Sequence, residues 1–218
     1  MPLDQIQNLV SSGANEQLAV ALKESPEKAH LVTSMGVSLI TFAAYYRNLE
    51  AVRTIRSYLG NVTIHEACCI GELETVKEQL DKTQVALNSF SADGFTPLGL
   101  ACFFGHYSLA AYLVEAGADV NIAANNDFRV APIHSACAIS SVPIVNLLIA
   151  AGANVNLPQQ KGICPIHSAC HNGSLDIAKL LIAAGARHNT ADESGKLPVD
   201  YALEKNYEEL AAYLQALT

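Results

Sequence analysis

The chain repeats itself at intervals of about 33 residues, and self-similarity on that scale excludes most single-core folds. The segments FTPLGLACFFGHYSLAAYLVEAGADVN (Phe95 to Asn121), VAPIHSACAISSVPIVNLLIAAGANVN (Val130 to Asn156) and ICPIHSACHNGSLDIAKLLIAAGARHN (Ile163 to Asn189) match column by column without a gap. A proline recurs at Pro97, Pro132, Pro165 and Pro198, spaced 35, 33 and 33 residues apart, and a glycine recurs at Gly117, Gly152 and Gly185. The longer first step reflects two extra residues between Asn121 and His134.

Both markers have a local meaning. Proline is preorganised for the first helical position and biases the residue before it to extended geometry, so each Xaa-Pro marks a helix start. In Tyr107 to Ala116 the apolar residues Leu109, Ala110, Leu113 and Val114 recur at helical spacing and stop at Gly117, a residue suited to a left-handed C-cap. A pair of helices this short cannot bury its apolar face alone, so neighbouring repeats must stack into one continuous core.

These columns resemble the ankyrin repeat, which opens on Thr-Pro-Leu-His-x-Ala, carries Gly-His between two helices and closes on Gly-Ala-Asp-Val-Asn. The fullest copy has Thr96, Pro97, Leu98, Ala101, Gly105 and His106, then Gly117, Ala118, Asp119, Val120 and Asn121. A degenerate unit follows from Lys196 to Leu214, with Asp200 in the His column. Upstream, Val62 to Leu80 keeps His65, Ala67 and Gly71, while Gly36 to Ile55 keeps only the small and apolar columns. The 24 residues from Thr41 to His65 hold two helices and a tight turn, so the first units are expected to lack the extended finger of later ones. The resemblance covers residues 36–214 and implies an all-α repeat solenoid: stacked helix-turn-helix ankyrin repeats with hairpin-like fingers between the later repeats and degenerate helical caps. Helical patterns at Asp4 to Ser11 and Asn15 to Lys23 read as an N-terminal cap over 1–34. One continuous array of about five to six repeats is expected over 35–218, the last a C-terminal cap.

One departure bears on stability. The Thr before Pro survives only at Thr96 and becomes Ala131, Cys164 and Leu197 elsewhere. If that Thr caps the inner helix, each loss costs about 1 kcal/mol, and those repeats rely more on apolar stacking.

Composition narrows the function. With 13 Lys+Arg against 21 Asp+Glu the formal charge is −8, which removes the basic footprint that nucleic-acid binding needs. Ala29 to Tyr46, Phe95 to Val114 and Val130 to Gln160 contain no charged residue, but Gly, Pro, His and Asn interrupt them, as suits short packed helices and not membrane spans. The N-terminal residues MPLDQIQNLV are not a secretory signal. The starting Met and polar final helix are read as a complete chain, with cytoplasmic location expected and signal-independent delivery into a host cell left open. Six Cys in such a chain are expected to be free thiols.

Three copies of His-x-x-Cys, His65 with Cys68, His134 with Cys137 and His167 with Cys170, raise metal binding or a Cys nucleophile. Against this, Cys68, Cys102, Cys137 and Cys170 all follow an Ala in one column, where a small buried residue suits an inner helix. Inner helices roughly 8–10 Å apart cannot bring one column to Zn–S distances of about 2.3 Å. The resemblance implies that the His column is structural. It also permits oxygen-dependent hydroxylation of the recurrent Asn88, Asn121, Asn156 and Asn189, whose default role is in turns. No phosphate loop, nucleophile elbow or EF-hand is found, so no cofactor is expected.

The remaining reading is a non-enzymatic adaptor binding a protein partner through the inner-helix groove and the finger tips. The groove columns, usually polar in ankyrin repeats, read Tyr45–Tyr46, Cys69–Ile70, Phe103–Phe104, Ala138–Ile139 and His171–Asn172, an apolar row of the kind that marks interaction sites. Tyr45, Tyr46, Cys69 and Ile70 are equally readable as core. The lengthened finger carries Asn126, Asp127, Phe128 and Arg129, and the candidate surface adds Lys161 and Ile163. Phe128 could instead fold back to plug the insertion. An enzyme using a Cys/His pair, an enzyme-associated module and a self-associating scaffold, such as a weak homodimer, are the alternatives.

Overall fold

The computed structural model describes residues Pro2–Leu217, apart from the side chains of Gln84 and Val85, so the outermost residue at each end of the expected domains lies outside it. The described residues form fourteen α-helices and no strand beyond an isolated bridge between Val32 and Ser38. They fall into two compact units, one of residues 1–86 with 91–93 and one of residues 87–90 with 94–218. The boundary expected between cap and array, at 34/35, lies inside the first unit.

The first unit contains α1 (Leu3–Ser12), α2 (Asn15–Glu24), α3 (Leu39–Tyr45), α4 (Leu49–Arg56), α5 (Ile64–Ile70) and α6 (Leu73–Lys82). α1 packs on α3 and α2 on α4, so the N-terminal pair stacks on the next as one repeat does on another. Ile6, Leu18, Leu22, Leu39, Ile40 and Ile55 are fully buried between them. Only seven residues, 57–63, link α4 to α5, without a finger. A finger does precede α3: Thr33 N–H donates to the Val37 carbonyl at 2.8 Å around a turn that places Gly36 at φ 78°. The expectation that the first units lack fingers therefore holds for one connection and fails for the other, because residues 31–38 supply their own hairpin turn.

The second unit contains α7 (Pro97–Phe104), α8 (Tyr107–Glu115), α9 (Pro132–Ala138), α10 (Val142–Ala150), α11 (Pro165–His171), α12 (Leu175–Ala183), α13 (Pro198–Glu204) and α14 (Glu208–Gln215). The inner helices stack in the order α7, α9, α11, α13, and the outer helices α8, α10, α12 stack behind them. Leu98, Leu100, Leu109, Leu113 and Ile133 fill the spaces, with Cys102, Cys137 and Cys170 completely enclosed as small apolar groups.

The loss of the capping Thr is offset within the same turn. Thr96 Oγ1 accepts the Gly99 N–H at 3.1 Å, the ordinary N-cap bond. Where Thr is replaced, the residue three positions on reaches back instead: His134 Nδ1 accepts the Ala131 N–H at 3.2 Å, His167 Nδ1 the Cys164 N–H at 3.0 Å, and Asp200 the Leu197 N–H at 2.8 Å. Each repeat thus keeps one half of a capping box. His65 does not share this role. Thr63 stands in the Pro column, α5 begins one residue later, and Thr63 and Glu66 build the whole box between them.

Candidate partner-binding site

Successive fingers of the second unit are joined by single backbone bonds. Asn125 N–H donates to the Gly94 carbonyl at 2.8 Å, Gln160 N–H to the Phe128 carbonyl at 3.0 Å, and Glu193 N–H to the Lys161 carbonyl at 3.0 Å. Each finger needs a left-handed residue three positions before its Pro, and Gly94, Gly162 and Gly195 provide it at φ 88°, 70° and 86°. The lengthened finger places Arg129 there, at φ 52°. A non-glycine residue in that region costs roughly 1–2 kcal/mol. Asn126 supports the turn by accepting the N–H groups of Phe128 and Arg129 at 3.1 and 3.3 Å.

All twelve candidate residues lie in the second unit. Phe128 is 61% exposed at the finger tip, and Asp127 and Arg129 beside it are exposed as well. Phe103 and Phe104 are half-buried with their rings edge to face at 5.1 Å. Ala138 is exposed at the end of α9, while Ile139 is half-buried with its Cδ1 turned toward Gly105. Ala138, Ile163, His171 and Asn172 share the lining of one recess of about 190 Å³, and Lys161 and Ile163 line an adjoining cleft of about 440 Å³. Asn172 is already engaged, its amide donating to the Cys137 and Ala138 carbonyls at 3.2 and 2.9 Å, which ties α11 to the end of α9. In the first unit, Cys69 is buried and Tyr45 is drawn inward, donating its hydroxyl to Asp93 at 2.5 Å, whereas Tyr46 is 53% exposed.

Sequence reasoning missed Tyr201, which borders both hollows. Its column holds Leu100, Ser135 and Ser168 in earlier repeats, so one aromatic in a column of smaller residues was the available signal. The Tyr201 hydroxyl donates to Asp192 at 2.5 Å, and Asp192 also accepts from the Ser194 and Lys196 N–H groups at 2.8 and 3.0 Å. The bond from Tyr201, together with those from Ser194 and Lys196, holds the Asp192 carboxyl well below the usual carboxylate range. Burial, reinforced by Asp192, pushes the Tyr201 phenol up to about 12. The ring meets the imidazoles of His167 and His171 edge-on at 5.7 and 6.1 Å.

All six cysteines are free and buried, and no group of three or more His, Cys, Asp or Glu side chains among the described residues could hold a metal ion. Burial raises the thiols of Cys137 and Cys170 to about 12 each, the opposite of what a nucleophile requires. No helix among the described residues is long and apolar enough to cross a membrane.

A family model for ankyrin repeats in three copies matches residues 9–124 and 133–217, and a second, for ankyrin repeats in many copies, matches residues 101–149. The first match begins inside α1, within the expected cap. A probable 26S proteasome regulatory subunit, p28, of Saccharomyces cerevisiae is 32% identical over 105 residues, 47% of this chain and 45% of its own length. Human DNA-binding protein RFXANK is 37% identical over 73 residues, 34% of this chain and 28% of its own. The mouse serine/threonine-protein kinase TNNI3K is 29% identical over 112 residues, 46% of this chain but 13% of its own. The matched segments span less than half the length of each of these relatives.

Proposed function

Since the chain belongs to the ankyrin-repeat family, whose repeats are generally protein-interaction modules, we propose that it is a non-enzymatic adaptor that binds a protein partner through the inner-helix face and finger tips of its second unit. The observation that carries this reading is the tip of the lengthened finger. A large aromatic, Phe128, is 61% exposed there, and next to it Arg129 occupies the strained conformation that glycine takes in the neighbouring fingers. Strain retained against an easy remedy is characteristic of functional positions, and exposed Phe and Arg are enriched among interface anchors.

The proposed contact surface combines Asn126, Asp127, Phe128 and Arg129 with Phe103, Phe104, Ala138 and Ile139. Toward the C-terminus it continues to Lys161, Ile163, His171 and the exposed edge of Asn172. The expected organisation goes with this reading: residues 1–34 close the N-terminal end, and 35–218 act as one array. So does action in the cytoplasm, where free thiols persist. Nucleic acid is a poor ligand for a chain of charge −8.

The test is capture from native lysate by the intact chain and by Phe104→Ser and Phe128→Ser. Each substitution is expected to reduce partner affinity by about 2 kcal/mol or more with the fold unchanged. Lower thermal stability with unchanged recovery would make both rings packing residues and move the site elsewhere. Molecular mass in solution distinguishes self-association from a second protein.

A further inference from the structure

We propose that the recess beside Ala138 is a socket for one apolar side chain carried on an extended segment of a partner protein. This deepens the protein-binding reading and rests on it. The recess exists because the column occupied by Phe103 in α7 and His171 in α11 is reduced to Ala138 in α9. The missing side chain leaves about 190 Å³ among α9, α11 and α13, walled by Ile163 and the Tyr201 ring. A cavity of about 150 Å³ lined by apolar side chains takes up benzene, so this one has room for a phenyl or branched aliphatic group.

The lining chemistry decides the class of occupant. The Tyr201 hydroxyl is committed to Asp192 at 2.5 Å, and the Asn172 amide to the Cys137 and Ala138 carbonyls at 3.2 and 2.9 Å. Both nitrogens of His167 are engaged, one by the Cys164 N–H at 3.0 Å and the other with the Thr190 carbonyl at 3.1 Å. Ser168 and the exposed His171 ring are the polar side chains left open. A sugar, nucleotide or oxyanion entering here would shed its water for almost no hydrogen bonds, whereas an alkyl or phenyl group gives up none. These bonds also hold the walls in place before binding, which lowers the ordering cost of association.

The adjoining cleft, which shares Ile163 and Tyr201 with the recess, adds a charge pattern. Lys161 and Glu193 stand on consecutive fingers, joined through backbone by the 3.0 Å bond, and neither has an ionic partner among the described residues. Lys196 is neutralised by Glu204 at 2.6 Å. The buried Asp192 carboxylate is engaged by the Tyr201, Ser194 and Lys196 donors, so the exposed rim offers one open charge of each sign, and the complementary segment carries an acidic and a basic residue around its apolar anchor. A run of one sign would be repelled by one of the two.

Linear peptides selected from a random displayed library against the intact chain provide the probe. The expected result is enrichment of Leu, Ile or Phe flanked by residues of both signs. Such peptides should lose at least tenfold in affinity to Ala138→Phe, which restores the missing side chain, and several-fold to Lys161→Glu. Peptides indifferent to Ala138→Phe but lost in Phe104→Ser would overturn the socket while leaving the protein-binding reading standing. Selection of no peptide, or only of single-sign runs without an apolar residue, overturns it as well. The proposed contact surface as a whole fails if lysate capture is unaffected by Phe104→Ser and Phe128→Ser, and the protein-binding reading fails if the intact chain captures no protein. Toluene supplies a measurement that needs no variant. The Ala138 and Ile163 methyl resonances should shift on its addition while that of Val142, exposed in α10 and away from the recess, does not, and an absent shift overturns the proposal.

Discussion

The side-chain oxygen of Asn121 accepts the N–H of Asn154 at 2.7 Å, while its amide donates to the Gly152 carbonyl at 3.2 Å, so one side chain closes the turn of the following repeat. Asn156 does the same for Arg187 and Gly185, both at 2.9 Å, and Asn88 accepts the Asp119 N–H at 3.0 Å. The Asn column therefore works across repeats and not only within its own turn. Exposed bonds of this kind contribute about 0.5–1.5 kcal/mol each. Asn156→Ala is expected to destabilise the second unit by about 1–2 kcal/mol in urea titration, and Asn156→Asp, which keeps the acceptor, by about half as much. A change within experimental error for both would show that the clamp does not contribute.

Stability should fall on mild acidification. Burial lowers the His134 imidazole to about 4 and also lowers His167, so both are neutral in the folded chain near neutrality. The unfolded chain takes up these protons near pH 6.5, so their stabilising share is whole above that value and is lost as pH falls from about 6.5 toward 4. For His134 the share is roughly 3 kcal/mol. Urea midpoints measured between pH 7.5 and 4 should decline steadily, and His134→Asn should flatten the decline. An equally steep decline in that variant would assign it to other groups.

Arg129→Gly should separate stability from binding. Relieving the left-handed conformation is expected to stabilise the second unit by about 0.5–1 kcal/mol, while partner affinity falls with loss of the guanidinium. A variant destabilised by calorimetry would mean that the Arg129 side chain packs against its finger and is not held in strain.

Cysteine reactivity should follow enclosure. Cys102, Cys137 and Cys170 are fully enclosed, and Cys164 is 8% exposed. A thiol reagent added to folded protein should modify Cys164 first, with six thiols titrating after denaturation. Earlier labelling of Cys137 would point to local opening of α9.

Repeat boundaries were legible in the sequence because proline and glycine act locally: α7, α9, α11 and α13 begin on Pro97, Pro132, Pro165 and Pro198, and α8, α10 and α12 end within two residues of Gly117, Gly152 and Gly185. Compensation for the lost capping Thr was only half visible: the missing Thr pointed to extra apolar stacking, although Gly99 follows Thr96 whereas His134, His167 and Asp200 follow its replacements. The shifted start of α5 was not visible, because His65 fits its column and only hydrogen-bond geometry prefers Thr63 with Glu66. Of the candidate surface, the finger tip could be read from the insertion. The hollow beside Ala138 could not, because a cavity is made by what surrounds a small residue, and Tyr201 comes from a repeat 63 residues further along the chain.

A perfectly periodic stack has no landmarks. A partner laid along it would find the same contacts one repeat to either side and could slide without penalty. Among the substitutions that break the period in the second unit, three bear on the proposed surface: Arg129 where the fingers have glycine, Ala138 between Phe103 and His171, and Tyr201 after Ser135 and Ser168. Such irregularities act as the teeth of a key. They fix the register at which a partner can engage, and an array altered only at its regular positions would keep its fold and its address together.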